Sequence, residues 1–340
     1  MQDRKLCFND ILLVPYYSDI DSRTVPDIST KIANLELKIP IISSPMDSIT
    51  GEDMVVCLDK LGGLGILSRH INIHPDDELC MQMRSIKSAI KRGAKNIGCA
   101  IGVKNDIVTK TKHLLNNGCN VICIDVAHAD HAKIYETTKI LAKLKDVYRF
   151  TLIVGNVCTP RAAMNLIDCK ADVIKVGIGP GAACSTRLIT GFGYPQLSAI
   201  QEIRSYANKR SDLYGNRVFI IADGGLRTSG DMVKSLWAGA DACMIGYMLA
   251  GTNCAPQING KRIYRGMSSR AVSGRSDIAP EGVEIEVGDN GETEEVINEY
   301  IKGIRSGLAM GGASNIEELR KVDCVVVSPL SIEETLPRNK

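Results

Sequence analysis

The chemistry this chain can offer is concentrated in one segment, 177–196, which reads GIGPGAACSTRLITGFGYPQ. Glycines at 177, 179 and 181, with Pro180 between the last two, let the backbone turn tightly and present amides or carbonyls to a ligand. Cys184 follows, and after it Ser185, Thr186 and Arg187. A thiol in polar, glycine-rich backbone beside an arginine is set up for a lowered pKa and for nucleophilic attack. Two further glycine turns, Ala222-Asp-Gly-Gly and Ile245-Gly-Tyr-Met, can aim backbone N–H groups at a phosphate. Asp223 in the first of these suits a ribose diol, and Asp125, in IDVAHAD, is a second carboxylate of the same kind. Together these features point to a nucleotide rather than a simple metabolite.

Such residues need a scaffold that brings distant turns to one mouth. Eight short apolar runs recur along the chain, at 39–43, 64–67, 96–103, 121–126, 151–157, 173–177, 218–222 and 242–246. Continuous apolar runs, rather than alternating ones, suit parallel strands covered on both faces. Amphipathic helical patterns lie between them, for example 106–116 and 229–237, with Gly118 and Gly239 placed to end helices and Thr228-Ser229 to begin one. Eight strand–helix repeats predict an α/β fold, a (β/α)₈ TIM barrel. A doubly wound open sheet would want a glycine fingerprint after its first strand, and SSPMDSITG lacks one. The widest gap between runs, from 173 to 218, holds the cysteine loop, and long βα loops at a barrel's C-terminal face are where active sites form. A second irregular region, 252–293, is rich in Gly, Ser and charge and reads as a flap that closes over a substrate. Helix resumes from Glu294. The whole chain, 1–340, reads as one domain with no insertion.

Composition excludes several classes. Hydrophobic residues make up 44% of the 340 and charged ones 24%, with a net charge of +2, so no broad nucleic-acid surface is expected. The start, MQDRKLCFND, has no apolar core of a secretory signal, and no apolar run approaches a membrane span. A cytoplasmic protein is expected. The twelve cysteines form no C-x-x-C pair and read as reduced thiols, and several, such as Cys99, Cys123 and Cys243, fall in apolar runs where a thiol packs as a small hydrophobe. The pairs His70/His74 and His128/His131 lack further ligands at zinc spacing.

The motifs FNDILLVP, ISSPMDSIT, GGLGILSRH, ADGGLRTSGD, YRGMSS and GIRSGLAMGGA, spread over nearly the whole chain, resemble the IMP dehydrogenase/GMP reductase family. The resemblance implies a TIM barrel and a cysteine, here Cys184, that attacks C2 of a purine nucleotide in a reaction coupled to nicotinamide hydride transfer. It implies phosphate and ribose contacts at Asp223, Gly224, Gly225, Gly246, Tyr247, Gly266, Met267, Ser268 and Gly282. Cofactor contacts fall on Ser22, Arg23, Arg69, Asp125, Val126, Ala127, Ile178 and Gly179, with Ser22-Arg23 reaching in from a neighbouring subunit of a homotetramer. The carbonyls of Gly179, Gly181 and Cys184 would hold a monovalent cation, K⁺ in this reading.

Within the family, IGPGAACSTR followed by TGFGYPQ resembles the reductases, and 266–281 contains Arg270 and Arg275 but no Arg-Tyr pair of the kind dehydrogenases use to activate water. The expectation is therefore an NADPH-dependent GMP reductase, with Thr186 and Glu281 relaying protons to departing ammonia. The alternative is an IMP dehydrogenase, which would oxidise IMP to XMP with NAD and lack the inserted regulatory domain. Ile278 stands where reductases carry an arginine, while RSGLAM and APEGVE are closer to the dehydrogenases.

Overall fold

A computed structural model describes residues 4–69, 78–103, 106–214, 217–273, 277 and 279–328. The eight apolar runs all form strands: β1 (Ile41–Ser43), β2 (Leu64–Leu67), β3 (Ile97–Ile101), β4 (Val121–Asp125), β5 (Thr151–Val157), β6 (Val173–Val176), β7 (Phe219–Asp223) and β8 (Ala242–Ile245). They pair in parallel, each with the next, and β8 closes on β1. The predicted (β/α)₈ barrel is the observed one. Between β2 and β3 the chain holds one helix, Glu78–Lys91, among the described residues, with no inserted domain.

Each strand is buried on both faces because alternate residues serve two cores. Ile42, Leu64, Ile66, Val121, Cys123, Ile153, Val173 and Ile221 fill the barrel interior. Their neighbours, among them Ile41, Cys99, Ile122, Ile124, Val154 and Cys243, face the helices outside. This is why the runs read as continuously apolar. The hairpin Thr30–Ile32/Leu35–Leu37 sends Ile32, Leu35 and Leu37 into the same interior.

Local signals set the helix ends. Thr228 Oγ1 accepts from the Asp231 amide at 3.1 Å and Asp231 reaches back to the Thr228 amide, a reciprocal cap on Ser229–Trp237. The predicted helix at 106–116 spans Ile107–Asn116, and Gly118 and Gly239 take left-handed φ values just beyond their helices.

Part of the region 252–293 forms regular structure. Strands Ile263–Arg265 and Glu284–Glu286 pair in an antiparallel hairpin. Arg265 anchors it: the side chain is 5% exposed and its Nε and Nη2 meet both carboxylate oxygens of Asp47, in the loop after β1. Arg275 and Ile278 lie outside the described residues, as do His70 and His74.

Candidate active site

Loops after β1, β2, β4, β6, β7 and β8, with Asn156 of β5, converge on one cleft of about 230 Å³ at the C-terminal end of the barrel. Cys184 lines it, half-buried, in the loop after β6. Its Sγ donates to Thr186 Oγ1 at 3.2 Å, and Thr186 Oγ1 donates to Glu281 Oε2 at 2.7 Å. The row gives the thiol proton a path to a carboxylate, and gives any group at the sulfur access to the same relay.

Backbone pairing, not side-chain packing alone, brings Glu281 there. Ser185 N donates to Glu281 O at 3.0 Å, Val283 N to Ala183 O at 3.0 Å, and Glu281 N to Ser268 O at 3.2 Å. The segment 281–283, which leads into the return strand of the hairpin, is thus stitched to the cysteine loop on one side and to the Gly266–Ser268 turn on the other. Gly282 does not line the cleft; it pairs with Cys184 and Ser269 through its backbone. A Cβ on Gly282 would sit 3.1 Å from Gly266 Cα and from the Ser269 amide, so a side chain there would push these segments apart by a few tenths of an ångström.

Arg187 bonds within its own loop. Its Nη2 donates to the Tyr194 carbonyl at 2.5 Å, and its stem lies against Gly179 and Gly193. Burial pushes up the thiol pKa of Cys158, and Arg187 also draws it down. Arg187 shapes the loop, and the groups beside Cys184 are Thr186 and Glu281.

The other expected contacts sort into three groups. Asp223, Gly224, Gly225, Gly246, Tyr247, Gly266, Met267 and Ser268 line the cleft on the β7, β8 and hairpin side. Gly224 and Gly225 both have left-handed φ, +89° and +78°, which a glycine pair tolerates. Arg69, Asp125, Val126, Ala127, Ile178 and Gly179 line the opposite side. Ser22 and Arg23 are exposed and are not part of the cleft, so within one chain they are not brought to it. Gly181 lines the cleft, and its carbonyl accepts from the Cys184 amide at 3.0 Å. His131 is a helix cap, its Nδ1 accepting from the Lys133 amide.

Three residues at the floor were not anticipated. Lys175, on β6, donates to Asp125 Oδ1 and Asp223 Oδ2, each at 2.7 Å, and also to Asn156 Oδ1. Asn156 Nδ2 donates to Asp223 Oδ2 at 2.9 Å. Burial works against the Lys175 ammonium, but the two carboxylates outweigh it and hold its pKa above the ordinary lysine value. Tyr264, 5% exposed, packs edge-on against Tyr247 with ring centroids 5.2 Å apart. Burial first, then the Asp223 charge, raises its phenol well above the usual range. A lysine in the apolar run VIKV and an asparagine in LIVGNV were visible signals, since a polar side chain facing a barrel interior needs a partner.

A family model of the IMP dehydrogenase / GMP reductase domain matches residues 5–337. The chain is 36% identical to the inosine-5'-monophosphate dehydrogenase of Cryptosporidium parvum, over 93% of this chain and 90% of that protein. It is 29% identical to the enzyme of the same name from Borreliella burgdorferi, over 98% and 96% respectively. It is 32% identical to that of Halalkalibacterium halodurans, over 92% of this chain and 67% of the relative. The lean towards the reductases expected from the sequence finds no support in these relatives. No helix among the described residues is long and apolar enough to cross a membrane.

Proposed function

The chain belongs to the IMP dehydrogenase/GMP reductase family of oxidoreductases, and from that premise we propose that it oxidises IMP to XMP with NAD. The observation that carries the direction is the similarity to enzymes named inosine-5'-monophosphate dehydrogenase, and the hydrogen-bonded row from Cys184 Sγ through Thr186 to Glu281 supports the chemistry. Cys184 loses its proton along the row to Glu281, which gives it up to solvent, as the sulfur bonds to C2 of the hypoxanthine. The nicotinamide supplies the acceptor for the hydride that leaves C2. Water then adds at C2; Glu281, through the Thr186 hydroxyl, takes its proton, and the C2–S bond breaks to return the thiolate and release XMP. This pathway uses the row where an Arg-Tyr pair is missing. Phosphate and ribose go to the turns at Gly224-Gly225, Gly246 and Gly266–Ser268, with Asp223 on the diol.

The opposite side of the cleft is assigned to the dinucleotide. Arg69 lines it with a buried Nε that meets no hydrogen-bond partner among the described residues, a donor ready for an anionic or carbonyl group. Asp125, Val126, Ala127, Ile178 and Gly179 would hold the remainder. A monovalent cation on the Gly179, Gly181 and Cys184 carbonyls would brace the turn that the Cys184 amide already closes onto Gly181. Homotetramer assembly would bring Ser22 and Arg23 of a neighbouring copy to the cofactor.

One observation favours a second reading, NADPH-dependent reduction of GMP to IMP: the segment 266–281 contains no tyrosine. The same row would then protonate the departing ammonia. Absorbance of the reduced nicotinamide separates the two. Cofactor reduction with IMP and NAD is expected, and cofactor oxidation by GMP with NADPH, without the former, would reverse the direction. Cys184→Ala should abolish either reaction and keep nucleotide binding; a turning-over variant would refute the thiol's role.

A further inference from the structure

Asp125, Lys175 and Asp223 stand in one layer at the mouth end of the barrel interior. Each shares its strand's inward parity, with Cys123, Val173 and Ile221 filling the layer below. On the intervening strand, β5, Gly155 is the register partner of both Asp125 and Lys175. A Cβ there would lie 2.5 Å from Lys175 Cβ, so glycine leaves the space through which the lysine crosses to Asp125. Lys175 is 2% exposed, whereas Asp125 and Asp223 are 21% and 19% exposed, open to the cleft above. The two carboxylates therefore have one buried cation between them, and their bonded oxygens are no further apart than twice the 2.7 Å contact.

We infer that Lys175 is the positioning residue that keeps Asp125, on the cofactor side, and Asp223, on the substrate side, ionised together and aimed at the two riboses. This assignment rests on the nucleotide reading above for what the carboxylates bind, but not for its electrostatics. Without the ammonium, two carboxylates this close share a proton, as like charges in a partly buried site do. Asn156 still donates to Asp223, so the proton settles on Asp125 and a ribose acceptor becomes a donor. Two other titratable groups bear on the cluster. Cys123, on β4, has its thiol pKa pushed up by burial, and Tyr264, facing Asp223, is raised likewise, so both stay neutral at physiological pH. Arg69 lines the same cleft from the loop after β2.

The test uses the full chain with Lys175→Met and with Lys175→Met/Asp125→Asn. In the single variant the shared carboxyl pair has a folded-state pKa above its unfolded value. Its contribution to stability is complete at low pH and is lost as pH rises from the ordinary aspartate range through the raised value. Relative to wild type, the melting temperature of Lys175→Met should therefore fall steadily between pH 5 and pH 8. Adding Asp125→Asn should flatten that profile and recover stability at pH 8, because one carboxylate with an amide donor remains. Binding of NADH, on the Asp125 side, followed by calorimetry, should weaken about tenfold in the single variant and become linked to a proton, with IMP binding changed less. A Lys175→Met profile parallel to wild type would overturn the assignment. So would a double variant as unstable as the single one, or both failing to fold, since Lys175 would then serve packing alone. Failure of the wild-type protein to bind IMP would instead count against the nucleotide reading, leaving the ligand-free melting profiles to judge Lys175.

Discussion

Replacing Glu281 by glutamine isolates the proton relay from the architecture that holds it. Glutamine keeps the length of the side chain and an oxygen for the Thr186 hydroxyl, now 2.7 Å from the carboxylate, but cannot take up the proton. The segment itself is held by backbone bonds, Ser185 N to Glu281 O and Val283 N to Ala183 O, which the change does not touch. Binding and fold should therefore survive while the chemical step suffers. Loss of a positioned general acid–base group lowers rates by about 10² to 10⁴, equivalent to about 3 to 5 kcal/mol in the barrier. Steady-state turnover should fall by that factor with the KM for nucleotide unchanged. Thr186→Val should do similar damage, and the double variant should be no worse than the poorer single one, because the two side chains act as one row. Turnover within about threefold of wild type, or a double variant whose losses multiply, would refute the relay.

Two further outcomes concern the framework. Arg265→Met should leave the Asp47 carboxylate, 4% exposed, without its cation; removing one partner of such a pair costs about 3 to 5 kcal/mol, measurable by urea unfolding, and an unchanged midpoint would show the hairpin to be anchored elsewhere. Gly177→Ala would place a methyl 1.9 Å from the Asp223 carbonyl and should cripple folding or activity, whereas Gly288→Ala, with nothing within 4 Å, should be silent in the same thermal and activity assays; equal behaviour of the two would contradict the close approach of the β6 and β7 loops.

The comparison with relatives sharpens one point about the cysteine loop. GFGYPQ and the absence of an Arg-Tyr pair pull towards one direction of the reaction, while the overall similarity to enzymes named as IMP dehydrogenases pulls towards the other. The row of Cys184, Thr186 and Glu281 accommodates both, because a carboxylate behind a hydroxyl can accept a proton from water or deliver one to an amine. The two cofactor assays therefore decide the direction.

What the chain's residues determined unaided was local or periodic. Apolar runs of strand length with amphipathic stretches between them yield eight parallel strands, because each strand must be buried on both faces. Thr228 and Asp231 start a helix by bonding within three residues of each other. The glycines around Cys184 mark a loop because they admit backbone conformations other residues avoid. What only the tertiary structure decided was pairing over distance. Arg187, adjacent in sequence to the cysteine loop's centre, turns to Tyr194, while Glu281, 95 residues beyond Thr186, arrives by backbone bonding of two loops. Lys175 acquires its meaning only when β4 and β7 bring Asp125 and Asp223 to it across the barrel. The physical reason is common to all three: an ion pair or hydrogen bond is selected by the three-dimensional closure of the barrel, and one-dimensional spacing carries no record of which loops that closure brings together.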